Sequence, residues 1–149
     1  MNRQFVTMKV GDQTIAARVE DVREILDVCQ VSAIPSANRA TLGMIDVRGE
    51  SVAVLDLRSL LSMAELADTD RTRIVVFAGD KDRALPPTGL RTDAVIEVAE
   101  LDDEDLQLPP ALAGDGANFI QGIGRIGGEF VTVLDFSTLL SGSYGELPQ

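Results

Sequence analysis

The stretch 43–61, GMIDVRGESVAVLDLRSLL, is written a second time at 122–140, GIGRIGGEFVTVLDFSTLL. Nine of the nineteen aligned positions are identical, among them Gly49/Gly128, Glu50/Glu129, Val54/Val133, Asp56/Asp135 and Leu61/Leu140. Self-similarity at long spacing means that one supersecondary unit is used twice. The identities are turn, core and capping residues, so the repeat specifies a scaffold. The informative difference is Arg48, which faces Gly127 in the second copy.

A chain of 149 residues makes one ordinary domain or two small halves sharing a core. A half of ~70 residues would be marginal alone. Apolar residues are 45% of the chain but aromatics only 4%, so the core is built from Val, Leu, Ile and Ala, which suit pleated strands.

The pattern along the chain agrees. Residues 5–10 and 13–19 alternate around Gly11-Asp12, a two-residue hairpin signal. The segment 22–26 fits either a short helix or a strand; as a strand it puts Val22 and Glu24 on one face and Arg23 and Ile25 on the other. Ile34-Pro35 reads as extended, with Ser36 capping a short turn through Ala40. Residues 44–47 and 52–55 flank a hairpin turn at Arg48-Gly49-Glu50. Asp56 then caps a helical turn carrying Leu57, Leu60 and Leu61, and Asp135 repeats the device before Phe136, Leu139 and Leu140.

In the second half residues 73–78 restart the pattern, and Gly79-Asp80 echoes Gly11-Asp12. Residues 90–98 read as one alternating strand, with Leu90, Thr92, Ala94, Ile96 and Val98 on one face and Arg91, Asp93, Val95 and Glu97 on the other. The segment 95–98 matches 22–25, and Leu108-Pro109 matches Ile34-Pro35. The chain is a tandem repeat of strand-rich halves, and short strands without a long helix favour two small barrels.

Several kinds of chemistry are disfavoured. A net charge of −11 repels nucleic acid and anionic lipid. There is no histidine, the commonest general base and metal ligand. Cys29 is the single cysteine, which precludes an intramolecular disulfide; among Val28, Val31 and Ile34 it reads as a small core residue. No basic-then-apolar leader or apolar run of about 18 residues occurs, so a cytoplasmic address without membrane insertion is expected.

Gly122, Gly124 and Gly127 match a dinucleotide fingerprint letter for letter, but a strand-like segment follows where a helix is required. The acidic run at 102–105 lacks the alternating spacing of a calcium loop and reads as a solvated turn. Glu50 and Glu129 recur at matched turn positions and are read as structural. No catalytic residue, cofactor-binding residue or metal ligand is expected. A small-ligand-binding barrel and a carboxylate-dependent enzyme are the alternatives weighed.

Glu24 and Arg48 remain, two charges within otherwise apolar strand-like segments of the first half. Either they are independent exposed charges, or they form an ion pair holding 22–26 against the Arg48 hairpin. Such a pair matters far more to stability when desolvated than when exposed. An exposed arginine still serves as an interface anchor.

At these residues the sequence resembles the CheW-type chemotaxis coupling proteins. The resemblance runs from Phe5 to Leu140 through Val22-Arg-Glu-Ile25, Ile34-Pro35, Gly43-Met-Ile-Asp-Val-Arg-Gly49, Val52-Ala-Val-Leu-Asp-Leu-Arg58, Arg73-Ile-Val-Val76, Gly89-Leu-Arg-Thr-Asp93-Ala-Val95, Leu108-Pro-Pro110 and Leu134-Asp-Phe136. It implies an all-β fold of two SH3-like, five-stranded β-barrel subdomains related by internal duplication. They would span about 5–62 and 72–141, strands being able to cross over between them, with a C-terminal tail at 142–149. It implies no enzymatic activity and no cofactor, and a cytoplasmic adaptor coupling chemoreceptor helical tips to the regulatory domain of a CheA-type histidine kinase. Partner contacts carried over from the family fall on Val22, Glu24, Arg48 and Gly49. The receptor tip would dock in an apolar groove between the halves, with Glu24 and Arg48 fixing its register, and a hydrophobic end of the second half would meet the kinase. Ala53, Ala40-Thr41-Leu42 and Arg91-Thr92 depart from the family pattern, which favours a divergent array such as that of a pilus pathway as the alternative.

Overall fold

Each copy of the repeat supplies five strands, seen in a computed structural model that describes residues 2–36, 39–110 and 119–145, the last four as backbone only. The first copy gives β1 (Asn2–Val10), β2 (Gln13–Arg18), β3 (Val22–Asp27), β4 (Thr41–Val47) and β5 (Glu50–Asp56). The second gives β6 (Arg73–Phe77), β7 (Thr88–Thr92), β8 (Ala94–Asp102), β9 (Ile120–Ile126) and β10 (Glu129–Leu134). A short helix follows each last strand, α1 (Leu57–Leu60) and α2 (Phe136–Gly145). The expected turn from Ser36 to Ala40 crosses residues outside those described. Helix α2 carries the backbone to Gly145, past the start of the expected tail.

The strands form two five-stranded sheets, ordered β8-β1-β2-β10-β9 and β3-β6-β7-β5-β4. Adding five to the strands of the first copy, and subtracting five from those of the second, turns one order into the other. The duplication is therefore complete at the level of topology. Neither sheet belongs to one half of the chain. The β1 sheet takes two strands from the first copy and three from the second, and the β6 sheet takes the reverse. Both central contacts are parallel, β2 with β10 and β7 with β5.

Even the irregularities are duplicated. Pairing of β3 with β6 skips Arg23, between Val22↔Phe77 and Glu24↔Val76. Pairing of β8 with β1 skips Ile96, between Val95↔Met8 and Glu97↔Thr7. A bulge of this kind bends an edge strand and re-aims the side chains beside it.

The segment 90–98 is not one strand. It breaks at Asp93, where the chain leaves the β6 sheet and enters the β1 sheet. The expected faces fail as well: Arg91 is buried at 8% exposure, whereas Ile96 and Val98, at and beyond the bulge, stand out at 42% and 58%. All five residues of β7 are buried because the strand is central, and alternation carries no information about a strand covered on both faces.

The main core joins the two sheets through Met8, Ile15, Leu55, Leu90, Leu134 and Phe136. Each such side chain contributes roughly 1.5–3 kcal/mol on burial. Both expected caps form. Asp56 accepts the Arg58 amide at 3.3 Å, and Asp135 accepts the Thr138 amide at 3.2 Å and its hydroxyl at 2.8 Å.

One polar clasp also spans the sheets. Arg58 of α1 donates to Asp93 through Nε (2.9 Å to Oδ1) and Nη2 (2.6 Å to Oδ2), and the Gly11 amide donates to Asp93 Oδ2 at 2.7 Å. The third nitrogen of Arg58 donates to the Ala64 carbonyl at 3.0 Å. The Arg58 guanidinium, helped by the Gly11 amide, holds the Asp93 carboxyl below the usual carboxylate range against the opposing effect of burial.

Cys29 is exposed, not in the core. It lies beyond the end of β3 in an extended segment held by a single bridge, Ser32↔Met44, where Val28 and Ile34 are also about two-fifths exposed, at 40% and 43%.

Candidate functional site

The structure brings Glu24 and Arg48 together. Arg48 Nη1 donates to Glu24 Oε1 at 2.8 Å and Nη2 to Oε2 at 2.5 Å, a two-pronged fork of the geometry that gives arginine–carboxylate pairs their directionality. A second rung lies beside it, Arg23 Nη1 to Glu50 Oε1 at 2.8 Å, with Arg23 Nε 3.4 Å from Glu24. These contacts tie edge strand β3 to the β4–β5 turn. Burial alternates along β3, so Val22 points toward the main core and Ile25 outward at 42% exposure.

The turn explains how Arg48 is presented. Val47 pairs with Glu50, leaving Arg48 and Gly49 as the two loop residues, both at positive φ (51° and 87°). Two-residue hairpins need that backbone, and glycine, asparagine or aspartate normally supplies the first position. The second copy does so with Gly127 and Gly128, at 59° and 86°. Arg48 thus occupies a left-handed site that the duplicate fills with glycine, and its side chain is 73% exposed while Glu24 is only 18% exposed. A bulky residue held at positive φ stores backbone strain, and such strain concentrates at functional positions. Asp46 Oδ1 steadies the turn by accepting the Gly49 amide at 2.6 Å.

Arg48 holds the Glu24 carboxyl below the ordinary range, chiefly through the hydrogen bonds of the fork and secondarily through its charge; Arg23 adds to the effect. The site is therefore anionic and cationic together at neutral pH, with one end anchored and the other offered to solvent.

The duplicate surface is of another kind. Glu97 stands where Glu24 does, but Gly127 offers it no guanidinium. Ile96 and Val98 replace Arg23 and Ile25, and Phe130 replaces Ser51 at 65% exposure with the Arg125 guanidinium 4.5 Å from its ring centre. Sequence reasoning named the second half as the place for an apolar surface but no residues, because the bulge at Ile96 puts Val98 on the same face as Val95, which alternation does not suggest.

An apolar groove of about 530 Å³ does separate α1 from the β1 sheet, lined by Ile15, Leu60, Leu61, Phe119, Ile120 and Leu134 among others. Val22, Glu24, Arg48 and Gly49 are not among its lining residues. This groove and the fork lie on different elements. Among the described residues no cluster of three or more metal-ligating side chains occurs, and no helix is long and apolar enough to cross a membrane.

The comparisons with known proteins fall on this same architecture. The CheW-like domain family matches residues 4–143. The chemotaxis protein CheW of Rhizobium meliloti (strain 1021) is 28% identical over 92% of this chain and 86% of its own length. Protein FrzA of Myxococcus xanthus is 31% identical over 93% and 85%. The crystal structure of the scaffolding protein TtCheW from Thermoanaerobacter tengcongensis superposes with a TM-score of 0.81 at 22% identity, covering 93% of this chain and 88% of that one, which establishes the shared fold. The Rhizobium meliloti relative is named for chemotaxis. A duplicated, strand-exchanged pair of five-stranded sheets, matched from end to end by these proteins, makes the chain a member of the CheW-like family of non-catalytic chemotaxis scaffold proteins.

Proposed function

We propose that the chain is a cytoplasmic adaptor that couples chemoreceptor helical tips to the regulatory domain of a CheA-type histidine kinase. The observation that carries this reading is Arg48, forked onto Glu24 and held at positive φ where the duplicate turn has glycine. A scaffold needs no such residue there. An anchored carboxylate and a mostly exposed guanidinium present a fixed polar pattern to a partner, and arginine is enriched at the energetic centres of interfaces. Val22 and Gly49 set the strand and turn that hold the pair. The exposed apolar side chains Ile96, Val98 and Phe130 on the other sheet suit a second partner, the kinase. A chain of net charge −11 favours partners with basic patches.

The direct test mixes the purified chain with a receptor signalling fragment and a CheA-type kinase. Co-sedimentation of all three with a changed kinase rate is expected; an unchanged rate without co-sedimentation overturns the proposal.

Acid should weaken coupling through Glu24. Its folded carboxyl ionises at lower pH than a free one, so the fork is complete above the ordinary glutamate range and disappears as pH falls through the depressed value. Receptor affinity should hold between pH 8 and pH 5 and drop only in stronger acid, whereas Glu24→Gln should be weak throughout. A Glu24→Gln chain with parental affinity across that range would remove the fork from the interface.

A further inference from the structure

The two barrels are duplicates in topology but not in filling. In the β1 sheet Arg18 pairs with Phe5, and in the β6 sheet the matching Arg91 pairs with Ile74. Beside the matching bridges Gln107↔Ile123 and Ser32↔Met44, Leu106 is answered by Val31. Phe5, fully buried, packs with Leu101, Val131 and Leu106 inside its barrel. The β6 barrel has the smaller Ile74 and Val31 at these positions, and both line a cavity of about 480 Å³, within the size range of small-molecule sites.

The walls of that cavity include Val31, Leu42, Val54 and Ile74, all branched aliphatics. Its charged lining is three carboxylates, Asp56, Glu65 and Asp68, against one guanidinium, Arg91. Arg91 is engaged already: Nε donates to Asp68 Oδ1 at 2.5 Å and Nη2 to the Leu66 carbonyl at 2.7 Å, which pins the linker over the cavity mouth. Asp56 is different. It is buried at 4% exposure, yet among the described residues the polar contacts of its carboxylate are long: 3.3 Å to the Arg58 amide, 3.4 Å to the Ser59 hydroxyl and 3.5 Å to Arg91 Nη1. Its counterpart Asp135 has a 2.8 Å bond from Thr138 instead. A buried carboxylate with only stretched bonds, in a lining with excess negative charge, suits a charged donor.

We propose that the β6 barrel is a binding site for a small organic ammonium with a branched aliphatic body, its charged head on Asp56 and its body against Val54 and Ile74. This site is independent of the coupling surface and of the reading placed on it.

The probe is 3-methylbutylamine, compared with 3-methylbutanol and 3-methylbutanoate, which share its carbon body. The amine should raise the melting temperature saturably, shift the amide resonances of Thr72 and Ile74, and slow alkylation of Cys29, which lines the same cavity. The alcohol should bind at least about tenfold more weakly because it brings no positive charge to Asp56, and the carboxylate more weakly still because like charges repel. Asp56→Asn keeps a capping side chain for α1 and should erase the preference for amine over alcohol. Ile74→Phe, copying the ring that fills the other barrel, should abolish binding. No saturation by the amine, equal binding of the alcohol, an unchanged preference in Asp56→Asn, or undiminished binding by a folded Ile74→Phe chain would each overturn the proposal.

Discussion

Arg48→Gly is expected to leave a chain that melts no lower than its parent and yet fails to couple receptor to kinase. The two halves of that expectation have separate causes. Glycine at this turn reproduces the Gly127-Gly128 sequence of the duplicate hairpin and removes the strain of a side chain at a φ of 51°. What disappears is the fork on Glu24 and the exposed end of the guanidinium. Receptor affinity should fall by about tenfold or more, the loss of one good interfacial anchor. Arg48→Lys should fall between the two, since an ammonium keeps the charge but cannot make the paired contacts. Thermal melts and co-sedimentation on the same preparations measure both effects. Parental coupling by the folded glycine variant would reduce Arg48 to a surface charge.

The second large effect falls on stability. Arg58→Ala strips the cation from Asp93, whose remaining partner is the Gly11 amide, in a place where the two side chains are only 13% and 14% exposed. Leaving one member of such a pair uncompensated costs about 3 kcal/mol, the lower end of the range for buried pairs. Urea unfolding at pH 7 reads it directly. Acid supplies the complementary check. The Asp93 carboxyl is held below its unfolded value, so its contribution is complete above about pH 3.9 and is lost as pH falls through the lower, folded value. Parent and Arg58→Ala should therefore converge in stability as the solution approaches pH 2. A gap that persists there would mean the arginine acts through packing rather than charge.

Much of this was legible in the residues themselves. The repeat marks two strand-rich halves, Gly11-Asp12 and Arg48-Gly49 mark turns, and Asp56 and Asp135 mark the helix starts, while the count of five strands in each set is what the resemblance to the CheW-type proteins implies. Glu24 and Arg48 were separable from their neighbours because each is a charge in an apolar strand-like context that the second copy does not reproduce as a pair. Other features were hidden for physical reasons. Asp93 looks like one more polar position in an alternating run, because a strand can change sheets without breaking its period. Arg91 reads as solvated until β7 proves central, where both faces are covered. Cys29 sits among apolar letters, but those letters belong to an extended connection whose side chains are partly in water. The separation of the apolar groove from the charge fork depends on which sheet each strand joins, and local pattern does not encode that.

The exchange of strands between the copies bears on where such a chain comes from. One repeat carries each of the five strand positions once, yet its first two strands lie in one sheet and its other three in the other. A second identical molecule would supply the missing pieces to both, as in a swapped homodimer with a twofold axis between its members. Joining the two ends through residues 57–72 turns that symmetric pair into a single polypeptide, and from then on each half is free to drift alone. An arginine on one turn and a larger core residue in one barrel are what such freedom leaves behind.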